Sequence, residues 1–530
     1  MGTDHANENA AEKEQRVAEE MHMRHVVNVL LYIVSLIVLL TLFHTVIFPD
    51  EPVIALLAAL IFAIHPLHTE VVANVKSRDE VLSVLFIALT ILKAFAYKES
   101  GKLKDLVFGC LFFFCALLSK EYAVTLIVIL PIAFYLFKNE PLPYGFKTFA
   151  PYLISLGLYI LLRLNAVTGA GEGAENNVLN NPYLYAGGLQ KLATEIFVLL
   201  NYLKLLLFPD VLTADYGYSQ IPIVSFSNLL VWLSLAIHLL MVVLMFVYLR
   251  KQHVIGFAIL FYLANLMLVS NLFINIGAPM GERLIYHSSV GFAVAAGYLL
   301  SKGFGMLNIA RISKGGLAGF TIVLVAVSGF KTIERNRDWK NDTTLFLADV
   351  KKSPNSALVN NNAAAACMSL AKKDKQDVAA RNEWLKKAVQ YFDKALSLYP
   401  DYYLSRVNRG LCYYNLGMPD KALPDWDTVR KYAPAQENIK KYLGIAGKYF
   451  FAQGMKYKAA SMADSSIYSF KKSTEAMPDS PEGYYELGRA YYAKGDYANA
   501  IIAFEKVLSL APAYSDARTL YEQAKANARQ

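Results

Sequence analysis

The sequence predicts an all-α protein with two parts, a polytopic transmembrane helix bundle and a C-terminal α-solenoid of helical hairpins. Of the 530 residues, 55% are hydrophobic, whereas soluble domains contain roughly 45–50% apolar residues. The excess is confined to residues 25–333, where long apolar runs carry few charges. From residue 334 onward the composition is that of a soluble helical protein, with prolines recurring 34 residues apart.

The composition divides the chain further. Residues 1–24 are polar and lack the apolar core of a signal peptide, so we expect them to be disordered. We expect a transmembrane domain at 25–333 and a linker at 334–354. About four repeats then follow at 355–512, and a capping helix with a tail at 513–530.

The apolar part contains about ten membrane-embedded segments, since a spanning helix needs roughly 20 apolar residues. The segment 53–65 is too short to span unless it continues into the following HPLHTE sequence. The segment 189–208 carries three charges and could lie in the interface instead. The candidates are 25–48, 53–65, 80–97, 105–118, 122–138, 147–163, 189–208, 226–249, 254–272, 284–301 and 315–333.

Loop charges predict the orientation. If 189–208 does not cross the membrane, the loops that are richer in Lys and Arg all lie on one side, for example 97–105 and 138–147. The positive-inside rule assigns that side to the cytoplasm. The repeats then lie on the other side, in the periplasm or the ER lumen. If 189–208 does cross, this assignment reverses.

The repeats follow the 34-residue tetratricopeptide (TPR) spacing. Small residues let the two helices of a hairpin approach closely, aromatic residues fill the space between hairpins, and proline ends the second helix. TPR arrays commonly bind proteins, a role that belongs to the architecture rather than to particular residues. The clearest unit has Tyr484, Leu487, Gly488, Tyr491, Ala500, Phe504 and Pro512, and earlier units end at Pro400, Pro434 and Pro478.

Charge and cysteine content narrow the function classes. The net charge is +9, and residues 334–530 hold 30 Lys and Arg against 22 Asp and Glu, so the basic surplus lies on the repeats. That surplus favours acidic partners or anionic lipid, or is an ordinary solvated surface. The four cysteines form no CxxC pair, so no zinc site or disulfide framework is indicated. No Walker A, GxSxG or HExxH motif occurs, and nothing indicates a nucleic-acid role.

Four polar clusters interrupt the apolar part, where ionisable groups are expensive and often functional. We predict that all four lie on the non-cytoplasmic face, which favours one shared site over four unrelated loops. Each also has a plainer interpretation as an interfacial loop, a helix-ending ion pair or a snorkelling side chain. The clusters are HPLHTE with KSRDE (65–70 and 76–80), SKE (119–121), DVLTADYGY (210–218) and GERLIY (281–286).

The first cluster also raises a metal alternative. His65 and His68 are three residues apart and, with Glu70, offer three ligand side chains. Pro66 makes the required ligand geometry uncertain. We therefore predict no metal site and prefer phosphate binding or proton sharing for these groups.

The order of these motifs resembles the transmembrane and tetratricopeptide-repeat-containing (TMTC) protein family, including its bacterial relatives. The resemblance runs from about His25 to the C-terminus. It is carried by HPLHTEVVANVKSRDEVLSVLF, LLSKEYAVTL, LFPDVLTADYGYSQIP, GERLIYHSSVGF and RNRDWKNDTTLF, followed by TPR units.

The resemblance implies a GT-C glycosyltransferase fold that transfers a sugar, mannose in the eukaryotic members, from a polyprenyl-phosphate donor to protein hydroxyls. It also implies a membrane location, in a bacterial member the inner membrane with the TPR units in the periplasm binding the acceptor protein. No cofactor besides the donor is expected. The residues implied in holding the donor phosphate and substrate are His65, His68, Arg78, Lys120, Glu121, Glu282, Arg283 and Tyr286.

One departure from the family concerns the catalytic base. Residues 24–32 resemble the family's second helix, and nothing before them matches its first helix or its acidic loop. We therefore expect the family's acidic pair to be absent from this chain, which leaves Glu70, Asp79 and Asp215 as substitutes. The alternative function is a non-catalytic, membrane-anchored TPR adaptor or assembly factor.

Overall fold

The computed structural model describes residues 10–167, 177–179, 181–305, 310–374, 376–436 and 438–529. These residues form helices joined by turns, and contacts divide the chain into two compact units that meet between Val359 and Asn360. The fold class predicted from the sequence, an all-α membrane bundle followed by TPR hairpins, is confirmed.

Among the described residues, thirteen α-helices of the first unit precede the polar segment that begins at Trp339. They are α1 (Ala10–Leu42), α2 (Pro52–Ile64), α3 (Thr69–Ala73), α4 (Arg78–Ser100), α5 (Leu103–Ser119), α6 (Leu126–Phe137), α7 (Leu142–Phe149), α8 (Tyr152–Val167), α9 (Gly188–Leu207), α10 (Leu229–Arg250), α11 (Val254–Val269), α12 (Tyr286–Gly305) and α13 (Ala310–Asp338).

Five stretches of the described chain are long and apolar enough to cross a membrane, and two bent helix pairs raise the number to seven. One bent pair joins α2 to the HPLHTE segment through a 49° bend, so the short apolar run does continue as the sequence required. The helix α9 is not among the candidate spans. The protein is therefore an integral membrane protein.

Two stretches differ from the sequence expectation. Residues 1–24 were expected to be disordered. Residues 1–9 lie outside the described part of the chain, and helix α1 begins at Ala10. Residues 10–20 are rich in Ala and Glu, which are strong helix formers, and the apolar helix that follows supplies the nucleus. The expected linker 334–354 is also helical, because it holds the end of α13 and then α14 (Asp342–Lys352).

Glycine allows close helix contacts inside this unit. A side chain at Gly291 on α12 would approach the carbonyl oxygen of Ala258 on α11 to 2.4 Å. One at Gly297 would approach the backbone nitrogen of Ala58 on α2 to 2.8 Å. Such contacts through small residues are typical of membrane helices, since they let two backbones pack directly against each other.

Short 3₁₀ turns interrupt the described helices at three of the four polar clusters. The 3₁₀ turns Pro66–His68, Val75–Ser77, Glu121–Thr125 and Arg283–Ile285 each coincide with or adjoin one of the predicted clusters. Non-helical backbone at membrane depth is tolerated where protein buries it or where it lines an aqueous cavity. The breaks therefore identify the region in which a site can form.

The second unit consists of helical hairpins. Its helices are α15 (Ala357–Lys373), which begins just before the boundary, α16 (Val378–Leu398), α17 (Tyr403–Asn415), α18 (Pro419–Tyr432), α19 (Ile439–Ala459), α20 (Ala463–Ala476), α21 (Pro481–Lys494), α22 (Tyr497–Leu510) and α23 (Ser515–Asn527).

Three successive hairpins repeat one glycine–aromatic contact. A side chain at Gly410 would lie 2.4 Å from the Trp426 indole nitrogen, and one at Gly488 would lie 2.7 Å from the Phe504 ring. A side chain at Gly454 would likewise lie 2.6 Å from the Phe470 ring. This is the packing that the TPR spacing predicts, because the missing side chain makes room for the aromatic ring of the partner helix.

Candidate functional site

The structure brings members of all four polar clusters into one network inside the first unit. The first cluster contacts the fourth through Glu70 and Arg283, and it contacts the second through Asp79 and Lys120. The third contacts the fourth through the backbone N–H of Thr213, which donates to Glu282. The prediction that the clusters share one site was drawn from their common face alone.

Arg283 is held by Glu70. The backbone N–H of Arg283 donates to Glu70 Oε2 at 3.0 Å, and its guanidinium Nη1 donates to Oε1 at 3.4 Å. The Glu70 side chain is 2% exposed, whereas that of Arg283 is 40% exposed. A buried carboxylate thus fixes a cation that remains accessible.

Lys120 is held in the same way from α4. Its ammonium lies 2.8 Å from Asp79 Oδ2 and 2.9 Å from Glu80 Oε1. Glu80 is fully buried, and its other oxygen lies 3.3 Å from Nδ1 of His287, which is also buried. The Lys120 side chain is 23% exposed. Glu80 belongs to the first predicted cluster, but neither Glu80 nor His287 was a predicted site residue.

Tyr122 lies beside one of these cations. The Lys120 ammonium lies 5.9 Å from the centre of the Tyr122 ring, and that ring packs edge-on against His287 at 4.6 Å between centres. An accessible cation beside an aromatic ring is suited to a phosphate with an apolar or sugar substituent.

Glu282, next to Arg283, points into the protein instead. It is fully buried, and its Oε1 accepts hydrogen bonds from the Thr213 N–H and, at 3.2 Å, from the Tyr216 hydroxyl. Its Oε2 has no hydrogen-bond partner in the described part of the chain. Burial, reinforced by the negative charge of Glu70, raises the pKa of Glu282 well above its ordinary value.

The 210–218 loop is tied to the segment that follows α13. Asp215 accepts from the Gly217 N–H at 2.6 Å and from the Ser356 hydroxyl at 3.1 Å, and burial raises its pKa. The Ala214 N–H donates to Asp349 Oδ2 at 2.8 Å. Asp349 in turn accepts from Arg335 Nη1 at 2.6 Å.

Arg335 is the main residue that sequence reasoning missed. Its side chain is 1% exposed and is bound by Asp349 and, at 3.0 Å, by Asp338. It also acts electrostatically on Glu282 and Glu70. Its signal in the sequence was an arginine near the end of an apolar helix, which is equally typical of snorkelling at the interface.

The two histidines of the first cluster are buried with both ring nitrogens engaged. His65 Nε2 lies 2.9 Å from the Leu206 carbonyl oxygen, and its Nδ1 accepts from the Leu67 N–H. His68 lies 3.1 Å from the Tyr32 hydroxyl and 2.9 Å from Ser289 Oγ. Within the described residues no group of three metal-ligating side chains converges.

The remaining predicted residues lie at the edge of the network. Arg78 donates from Nε to Asn28 at 2.7 Å and from Nη2 to the Arg24 carbonyl oxygen, so it is bound to α1. Glu121 pairs with Arg163 near the surface. Tyr286 is fully buried, and its ring packs against that of His68, 4.8 Å away. Whether these residues bind substrate stays a prediction.

Residues 21–165 match the family described as dolichyl-phosphate-mannose-protein mannosyltransferase, and residues 377–402 and 481–514 match the tetratricopeptide repeat. The mouse protein O-mannosyl-transferase TMTC3 is 24% identical over 86% of this chain and 51% of its own length. Human TMTC4 is 28% identical over 62% of this chain and 48% of its length.

The chain is similar to the TMTC family in both halves. The resemblance stated from the motifs is thereby confirmed. The protein spans about half the length of the TMTC relatives that it matches, at identities of 24–28%.

Proposed function

We propose that this TMTC-like protein transfers a sugar from a polyprenyl-phosphate donor to protein hydroxyls on the non-cytoplasmic face of the membrane. The observation that carries the proposal is the pair of accessible cations, Arg283 and Lys120, each fixed by a fully buried glutamate. The similarity to proteins named O-mannosyl-transferases supports the same reaction class.

The two cations would hold the donor phosphate. During transfer, the bond between the anomeric carbon and the phosphate oxygen breaks, and the phosphate leaves with the electron pair. The acceptor oxygen forms the new bond to that carbon. Preorganised cations stabilise the charge that develops on the departing phosphate, and they cost little reorganisation because Glu70 and Glu80 already fix them.

The acceptor hydroxyl must lose a proton to a base. Of the three substitute carboxylates, Glu70 is buried and fully engaged with Arg283, and Asp215 is held by its own loop and Ser356. Asp79 exposes 39% of its side chain and adjoins Lys120. We therefore assign the proton-accepting role to Asp79, and the acceptor-binding role to the TPR units.

Sugar transfer in membranes tests the proposal. The full chain would be supplied with radiolabelled polyprenyl-phosphate sugar, and label on protein would be measured. Arg283→Ala and Lys120→Ala should each lower transfer by about 10²–10³-fold, the usual effect of removing one charge-stabilising donor. Lys302→Ala is the matched control, because Lys302 is also a partly exposed cation paired with a glutamate, in the last turn of α12.

The adaptor function is the competing outcome. If the wild-type chain is folded and inserted but transfers no label, the proposal is wrong for this chain and the adaptor alternative stands. If label appears and is unaffected by both alanine variants, the phosphate does not bind at these cations. Asp79→Asn separates the base from the phosphate site, since it should abolish transfer while leaving donor binding intact.

A further inference from the structure

Helix α19 in the second unit has an unusual charge composition. Its 21 residues contain Lys440, Lys441, Lys448, Lys456 and Lys458, and no aspartate or glutamate. It is also longer than the first helices of the neighbouring hairpins, α17 with 13 residues and α21 with 14. The basic surplus of the repeats is therefore concentrated on one element.

The exposed side of α19 mixes these lysines with apolar residues. With 3.6 residues per turn, the exposed residues of α19 line up along one side of the helix, which we call the outward stripe. The buried residues line up along the opposite side, the inward stripe, and pack into the hairpin core. The outward stripe contains Lys441, Ile445, Lys448, Tyr449, Met455 and Lys456, and the inward stripe contains Leu443, Ala446, Gly447, Phe450 and Gly454.

The outward lysines have no carboxylate partners among the described residues. Only Lys458, on the flank of the helix, forms an ion pair, which it makes with Glu486 of α21. Two carboxylates on the helices that precede and follow α19 are engaged elsewhere, since Asp464 of α20 pairs with Lys494 and Asp420 of α18 accepts from the Tyr468 hydroxyl. The stripe thus presents uncompensated positive charge.

The apolar members of the stripe are exposed. Ile445 is 36% exposed, Tyr449 37% and Met455 41%. The Tyr449 ring also packs against Tyr414 of α17, 6.2 Å away, which continues the apolar surface onto the preceding hairpin. The stripe therefore offers apolar contact area as well as positive charge.

We propose that the outward stripe of α19 binds an acidic polypeptide segment that presents carboxylates and apolar side chains together on one face. The distance from Lys441 to Lys456 along the helix is about 22 Å, which equals the length of about seven extended residues. Carboxylates pair with the three lysines, and apolar side chains contact Ile445, Tyr449 and Met455. The assignment rests on the protein-binding role proposed for the TPR units, and it names the class of partner.

Peptide binding to the full chain tests this assignment. The protein would be held in zwitterionic nanodiscs without any sugar donor. The probe would be a fluorescent peptide of about eight residues in which pairs of Glu alternate with pairs of Leu or Phe, so that each face of the extended chain carries both kinds of side chain. A peptide with Lys in place of Glu is the probe control. Because no donor is present, failure of binding is distinguishable from failure of sugar transfer.

A charge-matched pair of variants locates the site. Lys441→Glu/Lys448→Glu/Lys456→Glu should weaken binding about tenfold or more, since three attractions become repulsions. Lys372→Glu/Lys386→Glu/Lys394→Glu changes the net charge equally at exposed lysines of α15 and α16, and it should leave affinity within about twofold. Equal losses in both variants would overturn the assignment, because the attraction would then follow net charge.

Two further results would also overturn it. A photo-cross-linking group on the peptide should react with α19. A second groove lies between α20 and α22, is lined by Tyr484, Leu487 and Tyr491, and has a volume of about 840 Å³. If the peptide reacts in that groove instead, it does not bind at α19. An environment-sensitive dye would also be attached at position 455. If its fluorescence changes with anionic vesicles but not with the peptide, the outward stripe binds a lipid surface and not a polypeptide.

Discussion

Removing the carboxylate of Asp349 should destabilise the first unit strongly. The Arg335 guanidinium is 1% exposed and donates to both Asp349 oxygens, at 2.6 and 3.4 Å. Breaking a buried ion pair by deleting one partner usually costs about 3–5 kcal/mol, because a buried charge is left uncompensated. Asp338 remains 3.0 Å from the guanidinium, so we expect the lower end, about 3 kcal/mol. That corresponds to about a hundredfold change in the unfolding equilibrium.

The measurement is unfolding of the full chain in one detergent or nanodisc, followed for Asp349→Ala and for Lys331→Ala. Lys331 is the matched control. It lies on α13, the helix that carries Arg335, and it pairs with Glu334 at 3.1 Å, where both side chains are partly exposed. That pair should be worth at most about 1 kcal/mol. Arg335→Met combined with Asp349→Leu should recover much of the loss, as no charge is then stranded. Equal effects of Asp349→Ala and Lys331→Ala would refute the reasoning.

Two other predictions follow from the geometry. Burial raises the pKa of Glu282 above its ordinary 4.5, so the folded state retains a proton that the unfolded chain releases. The stability of the protein therefore falls as the pH rises from about 4.5 through the pKa of Glu282 in the folded state. Glu282→Gln should flatten that dependence and raise the melting temperature near pH 7, and a melting series from about pH 5 to 8 that matches wild type would contradict this. In the repeats, Gly488→Ala should destabilise the array by about 1–3 kcal/mol, because the new methyl group meets Phe504. Gly444→Ala on α19 meets nothing within 4 Å and should stabilise by up to about 1 kcal/mol, as thermal unfolding of both variants can show.

The repeats were predictable in detail because each TPR hairpin is nearly self-contained. The contact between Gly488 and Phe504 joins residues 16 positions apart, and its spacing recurs at Gly454 and Phe470. A local rule of this kind can be read directly from a sequence. The prolines that end the second helices are equally local signals.

The membrane half was predictable as a set of segments and less so as a set of contacts. The continuation of α2 into the HPLHTE segment followed from an apolar run that was too short to span, whereas the 49° bend between them did not. The pairing of Arg335 with Asp349 joins a membrane helix to a polar segment that the sequence suggested was a linker. Both residues have ordinary surface interpretations in isolation. Their burial is decided by tertiary packing, which no periodicity in the sequence reports.

The exposure of the cations separates a binding site from a purely structural network. A network that only stabilises the fold should bury its cations together with their carboxylates, as happens to Arg335 at 1% exposure. Arg283 and Lys120 instead remain 40% and 23% exposed although Glu70 and Glu80 are buried. Burying a carboxylate lowers the stability of the fold, because the carboxylate loses its hydration. A buried carboxylate that holds an accessible cation therefore serves to fix the position of that cation. Variants of Arg335 should therefore lose stability and transfer together. Arg283→Ala should lose transfer with a smaller change in the melting temperature, because the backbone N–H at position 283 still donates to the Glu70 carboxylate. If Arg283→Ala unfolds the protein as readily as Asp349→Ala does, the network is structural throughout and the proposed phosphate site is wrong.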